Sequence, residues 1–321
     1  MAGRQKKKKS RMCAFLTFLL MIVMVAYAYK FIIISESQHK LEEESDNITS
    51  SDIETGHSVS ISPHNLNSSN AILINLEDDT ILMQKNSEEK IYPASLTKMM
   101  TAIVAIESLP DLEIKIKLTN STFQGLYEAN ASMTGFKPGE EVRAIDLLYG
   151  AMLPSGAESC IGLAEHIAGS EQDFVVLMNQ KAEELGMDNT HFENTTGLHD
   201  ENHYTTVEDL AILLKYALQN NTFKEIFTTF RHSTPPTNKH PGGITYYSTM
   251  FEKLEKLDQN IIGGEILGGK TGYTEEAGLC LASLAKVDNQ EYILITTGAK
   301  GNQYTEQYNI IDALAVYNSI R

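Results

Sequence analysis

The first strong pattern along the chain is an uninterrupted apolar run. It extends from Met12 to Tyr29 without a charge and continues past Lys30 as Phe31 to Ile34. A stretch of that length spans most of a bilayer core, and Lys30 can snorkel to the interface. From Ser35 to about Asn67 the pattern disappears. Ser, Asn and Glu dominate with no period, the signature of a flexible stalk. Folded periodicities begin near Ser69. Ala71 to Asn75 reads as a strand, Glu77-Asp78-Asp79-Thr80 as a turn and Ile81 to Lys85 as the returning strand. Pro93 introduces a helix over Ala94 to Ser108, with Leu96, Met99, Met100, Ile103, Val104 and Ile106 on a broad apolar face. Pro138-Gly139-Glu140-Glu141 reads as a turn and helix start before Ile145 to Met152. Helices are expected at Glu158 to Ile167, Gln172 to Leu185 and Thr206 to Leu218. After Pro235-Pro236 strand patterns return at Ile266 to Gly272, Leu279 to Lys286 and Tyr292 to Thr297. Gln303 to Ile320 closes the chain as a helix. This order predicts an α/β (α+β) domain whose sheet is built from both ends, with a helical region inserted between.

Charge sharpens the picture at the N-terminus. The formal net charge is −16, yet Arg4, Lys6, Lys7, Lys8, Lys9 and Arg11 crowd together before the apolar run. Positive residues stay cytoplasmic, so everything after about Ser35 is expected outside the cell membrane, on a single-pass anchor. Ala26-Tyr27-Ala28 offers small residues suited to a signal peptidase, the alternative to an uncleaved anchor. The acidic body lacks the Lys/Arg clusters that phosphate backbones require, which argues against nucleic acid as a partner. Of the three cysteines, Cys13 lies in the apolar run. Cys160 and Cys280 are read as buried free thiols, with a disulfide between them left open. No cysteine spacing suggests zinc, and no metal or organic cofactor is expected.

Three short stretches carry the chemistry: Ser95-Leu96-Thr97-Lys98, Ser155-Gly156-Ala157 and Lys270-Thr271-Gly272. A Ser-x-x-Lys match alone means little, since Ser37 to Lys40 and Ser87 to Lys90 match too. Context selects Ser95, which follows Tyr92-Pro93-Ala94 and opens an apolar helix. Spacing of three places Ser95 and Lys98 on one helix face. In the first turn the helix dipole favours negative charge. Lys98 acts as a base only when neutral, and burial plus a second cation, Lys270, would lower its pKa. Lys270 and the Thr271 hydroxyl suit a carboxylate, and Gly272 permits close backbone approach. Ser155 precedes a helix and is placed to protonate a leaving amine. Read locally, each stretch is also an ordinary capping serine or a surface lysine in a Gly-rich turn.

The wider sequence resembles the low-molecular-weight penicillin-binding proteins, the serine-type D-alanyl-D-alanine carboxypeptidase family. The likeness runs through Ile91 to Thr101, Leu153-Pro154-Ser155-Gly156, Thr190 to Asn194, Gly197 to Asp200, Tyr204-Thr205-Thr206 and Asp209-Leu210-Ala211. It continues in Gly269 to Thr274 and Gly298-Ala299-Lys300, and covers roughly Ser69 to Arg321. The resemblance implies a penicillin-binding/serine β-lactamase-like fold, mainly antiparallel sheet flanked by helices. Together with the charge and hydropathy pattern, it divides the chain into a cytoplasmic basic segment (1–11), a transmembrane signal anchor (12–34), a flexible stalk (35–67) and a catalytic domain (68–321). It implies Ser95 as nucleophile, Lys98 as base and Ser155 as proton relay. Lys270 and Thr271 would hold the free carboxylate, with Gly272 beside them, and the backbone N–H groups of Ser95 and Tyr273 would form the oxyanion hole. The implied partners are peptidoglycan stem peptides ending in D-Ala-D-Ala and β-lactams as covalent inhibitors.

Two positions depart from the family pattern. Ala157 stands where the middle motif usually has Asn, and Ala157→Asn is expected to be tolerated and to raise acylation. No Arg occurs between Arg231 and Arg321, so Lys300 becomes the candidate for a second carboxylate cation. Rival readings are a serine β-lactamase, a non-hydrolytic β-lactam or peptidoglycan sensor, and a zinc D,D-carboxypeptidase using His191, His199 and His203. The last lacks the His-Glu-x-x-His order. Wall maturation and glycopeptide resistance would use the same chemistry.

Overall fold

A computed structural model of the chain describes Ser62 and residues 65–320. The expected basic segment, the anchor and nearly all of the stalk lie outside the described residues. Among the described residues no helix is long and apolar enough to cross a membrane.

The sheet joins the two ends of the domain. Strands β1 (Asn70–Asn75) and β2 (Ile81–Lys85) form the expected hairpin. The turn holds because Asp79 adopts φ +63° and the Asp78 carboxylate accepts from Thr80 N at 3.0 Å. Between the hairpin and the later strands lies the helical region. It contains α1 (Lys98–Ser108), β3 (Lys115–Lys117), β4 (Glu141–Arg143), α2 (Ala144–Met152), α3 (Ala157–Ala168), α4 (Glu171–Leu185), α5 (Val207–Ala217) and α6 (Asn221–Thr228). A small hairpin of β5 (Arg231–Ser233) and β6 (Thr245–Tyr247) leads to α7 (Thr249–Leu254). Then come β7 (Gly264–Thr274), β8 (Gly278–Val287), β9 (Gln290–Ala299) and the closing α8 (Tyr308–Tyr317). The five-stranded sheet has the order β2-β1-β9-β8-β7, with antiparallel pairing throughout.

The period-two alternation of the strands sorts the two faces. Ile72, Ala282, Leu284, Ile293 and Ile295 pack against the inserted helices. Ala71, Leu73, Leu281, Ala285 and Leu294 pack against α7 and α8. Helix α1 is buried from Lys98 through Ile106, not along one face only. A helix enclosed in this way sits at the centre of the packing, and any polar group on it is held away from water.

Several expected boundaries move. Ala94–Thr97 is a 3-10 turn and the α-helix begins at Lys98. Ala94 has φ +46°, which no regular helix accommodates. The helix start expected at Pro138–Glu141 is a strand approach instead. Gly139 has φ +78°, Leu118 N donates to Glu140 O at 2.8 Å, and Glu141–Arg143 pairs with Lys115–Lys117. The closing helix is shorter than Gln303–Ile320 because the side chains of Asn302 and Thr305 bond nearby backbone. Thr305 Oγ1 accepts from Asn302 N at 2.8 Å, and Asn302 Oδ1 accepts from Tyr304 N at 2.9 Å. Cys160 and Cys280 are both buried free thiols.

Candidate active site

Four elements converge on one cleft of about 530 Å3. The 3-10 turn supplies Ser95, the first turn of α1 supplies Lys98, the loop between α2 and α3 supplies Ser155, and β7 supplies Thr271, Gly272 and Tyr273. Gly272 explains how the strand comes so close. A Cβ there would lie 3.1 Å from Ser95 N and 3.2 Å from Ala94 Cβ, so only hydrogen fits without displacement. Gly156 has the same necessity in the loop, where a Cβ would collide with the Thr134 side chain. Ser155 itself is held at φ +67°, an uncommon conformation for a residue with a side chain.

Lys98 Nζ lies 2.9 Å from Ser95 Oγ and donates to the Thr196 carbonyl at 2.5 Å. Only 2% of Lys98 is exposed, and burial lowers its pKa. Lys270 is 1% exposed; it donates to Ser155 Oγ at 2.9 Å and to Thr271 O at 2.8 Å. Burial and then the charge of Lys98 push Lys270 well below the usual lysine range. The Cys160 thiol between these groups is pushed up to about 12 by burial, so at neutral pH it offers neither lysine a negative charge. Two ammonium groups sharing a dry site favour the neutral amine on one of them, with Glu158 and Glu171 opposing this only in part at Lys98. A neutral Lys98 amine accepts the Ser95 hydroxyl proton while still donating to Thr196 O.

The cleft therefore brings together Ser95, Lys98, Ser155, Thr271, Gly272 and Tyr273, with Lys270 one layer below its surface. Ala157 lines it too, with its methyl group packed beside Leu126 and Ile161. Lys300 is exposed and is not among the residues lining the cleft, which corrects its candidacy as the second cation. Lys253 of α7 lines the cleft instead, and its charge reaches Lys270. Among the described residues Lys253 has no ion pair or side-chain hydrogen bond, and burial lowers its pKa. The three histidines weighed for zinc have separate partners. His191 faces Glu193 at 3.2 Å, His199 faces Glu276 at 3.8 Å, and His203 faces Thr97 at 2.8 Å.

Sequence reasoning missed the Thr196 carbonyl because any residue carries one. The signal that existed was Asn194-Thr195-Thr196-Gly197. The Asn194 side chain accepts from Thr196 N at 3.1 Å and from Gly197 N at 2.7 Å, an Asx turn that presents the carbonyl to Lys98. Missed as well was the far wall, residues 129–132. Glu158 holds the following segment from behind, accepting from Gly135 N at 2.9 Å, and Ser159 Oγ lies 2.8 Å from Thr134 Oγ1.

The D-alanyl-D-alanine carboxypeptidase family model, peptidase S11, matches residues 57–301. The chain is 34% identical over 229 residues to the D-alanyl-D-alanine carboxypeptidase DacF of Bacillus subtilis, covering 71% of this chain and 57% of that protein. To DacC of Escherichia coli it is 31% identical over 241 residues, covering 71% and 56%. The chain thus spans a little over half the length of these curated relatives. The crystal structure of the Streptomyces K15 DD-transpeptidase superposes with a TM-score of 0.70 at 25% identity, over 80% of this chain and 99% of that one. Penicillin binding protein 5 of Haemophilus influenzae gives 0.69 at 25% identity, over 80% and 71%. Both neighbours share the expected penicillin-binding fold. With a family match over most of its length, this chain belongs to the D-alanyl-D-alanine carboxypeptidase family, peptidase S11.

Proposed function

We propose that the chain is a serine D,D-carboxypeptidase that removes the terminal D-alanine from peptidoglycan stem peptides through an acyl-enzyme on Ser95. The observation that carries this reading is the 2.9 Å approach of a buried Lys98 amine to Ser95 Oγ in the cleft beside β7. Lys98 takes the hydroxyl proton as Oγ attacks the carbonyl carbon of the penultimate D-alanine. The oxyanion forms against the N–H groups of Ser95 and Tyr273. Collapse breaks the C–N bond, and the proton reaches the departing amine through the Ser155 hydroxyl. Water then cleaves the ester by the reverse proton route. The substrate carboxylate lies at Thr271 and Lys253, above Lys270. A β-lactam acylates the same serine. The basic residues before the Met12–Ile34 run support an anchored, extracytoplasmic enzyme.

The test is D-alanine release from a diacyl-Lys-D-Ala-D-Ala peptide by the full chain, with chelator present. Wild type is expected to release D-alanine and to form a penicillin adduct, and Ser95→Ala to do neither. Release retained by Ser95→Ala would overturn the assignment of the nucleophile. A folded wild type that is acylated yet releases no D-alanine would make it a sensor if the adduct persists, or a β-lactamase if it turns over quickly.

A further inference from the structure

The 3-10 turn that carries Ser95 is an unfavourable conformation in need of support. Ala94, immediately before the nucleophile, has φ +46°, a left-handed value uncommon for a residue with a Cβ. Nothing in the reaction accounts for what holds it.

A polar chain from a distant loop reaches this point. Glu193 N donates to His203 Nδ1 at 3.2 Å. A backbone N–H only donates, so Nδ1 is the acceptor and the ring proton sits on Nε2. His203 Nε2 then donates to Thr97 Oγ1, 2.8 Å away. The Thr97 hydroxyl, its acceptor site used, donates to the Ala94 carbonyl at 2.8 Å. His203 is 2% exposed and Thr97 fully buried, so bulk water reaches neither. Burial holds the His203 pKa down at about 4, which keeps the ring neutral and this tautomer intact at working pH. Gly197 closes the arrangement from the other side, since a Cβ there would collide with the Ala94 carbonyl.

The Ala94 carbonyl belongs to the same planar peptide unit as Ser95 N–H. In a trans peptide the two dipoles point in opposite directions. A carbonyl fixed inward toward Thr97 therefore fixes the Ser95 N–H outward toward the cleft. We propose that His203, acting through Thr97, is a positioning residue that aims the Ser95 N–H at the developing oxyanion. This inference rests on the serine carboxypeptidase reading.

The test uses the full chain with His203→Leu, His203→Gln, Thr97→Val and the His203→Leu/Thr97→Val double variant. Each is followed by D-alanine release, the rate of penicillin acylation and thermal melting. Deleting an oxyanion donor outright costs roughly a hundredfold or more, so misaiming one is expected to lower kcat by about tenfold. KM should move less than about threefold, because ground-state contacts are elsewhere. His203→Gln keeps a side-chain donor toward Thr97 and is expected to recover most of the rate. The double variant is expected to be no slower than the slower single variant, because both act through one path. A folded His203→Leu or Thr97→Val enzyme with wild-type kcat would overturn the proposal. So would a glutamine variant as slow as leucine, or fully additive losses. Should His203→Leu fail to melt cooperatively, Thr97→Val, which exchanges a hydroxyl for a methyl, decides alone. A wild type that neither releases D-alanine nor is acylated would instead sink the reading on which the inference rests.

Discussion

At the scale of single residues, Ala157 shows how a local environment revises an expectation. Taken as a gap in a motif, it invites an asparagine. In the fold the residue is 1% exposed, and its methyl group packs with Leu126 and Ile161, with Ala131, Met133 and Leu198 around them. Its N–H donates to Ser132 O at 2.8 Å and fixes the opposite wall of the cleft to the start of α3. An asparagine there must either bury its amide unpaired among Leu126 and Ile161 or push it into the cleft that Ala157 lines. Ala157→Asn is therefore expected to destabilise the domain by about 1–3 kcal/mol and to slow acylation by loosening the 129–132 wall. The measurements are chemical denaturation and penicillin acylation rate. Unchanged stability with faster acylation would restore the simpler motif-based view.

At the scale of elements, legibility follows the physics that forms each one. The hairpin β1–β2 and helices α3, α4 and α5 were legible because their apolar period is long, and α4 and α5 because their starts are capped as well. Ser170 and Thr206 side chains accept from Asp173 N and Asp209 N at 3.0 Å each. The motifs on β7 were legible because glycine spacing survives in sequence. The 3-10 turn at Ser95 was not, since its geometry depends on His203 and Gly197 packing from elsewhere, the former through Thr97. Short α7 was also invisible, with six residues and few apolar positions. It is set by tertiary contacts: Thr249 N donates to Leu153 O at 3.1 Å, and Met250 and Leu254 enter the core. That helix places Lys253 in the cleft, where sequence reasoning had offered Lys300. A half-buried cation without a partner is costly unless a ligand anion completes it. Lys253→Ala is expected to raise KM for the carboxylate-ended peptide by about fivefold, the size of one partly screened charge-assisted hydrogen bond. The kcat value should stay near wild type, and Lys253→Arg should retain most of the affinity. A carboxamide-ended peptide, lacking the charge, should not distinguish wild type from Lys253→Ala. An equal loss on both peptides would remove Lys253 from carboxylate binding.

At the scale of the whole molecule, the fold depends on closing its two ends together. Strand β1 pairs with β9 from Asn70↔Thr297 to Asn75↔Tyr292, so the first and last strands are neighbours in the sheet. Pairings so distant in sequence are entropically costly to form and are secured late. Asp312 on α8 provides the clasp. One carboxylate oxygen accepts from Asn67 N at 3.0 Å and Asn67 Nδ2 at 2.8 Å. The other accepts from Ser68 N at 2.7 Å and Ser68 Oγ at 2.6 Å. Asp312 is 2% exposed, and all four donors come from the chain just before β1. Replacing it by asparagine preserves shape but turns one oxygen into an NH2 group. That group then faces the Ser68 pair or, after a flip, the Asn67 pair, and at least the bond from that residue's backbone N–H is lost either way. Asp312→Asn is expected to cost about 2–4 kcal/mol, since hydrogen bonds to a buried charged group exceed the neutral average. For a domain of this size that lowers Tm by roughly 5–12 °C. Asp312 is not among the residues lining the cleft, so acylation at 25 °C should be unchanged in the folded fraction. A Tm within about 1 °C of wild type would show that the β1–β9 ladder closes the domain without the clasp. A large Tm loss with normal acylation would place the stability of the sheet seam and the chemistry of the cleft in separate parts of the molecule.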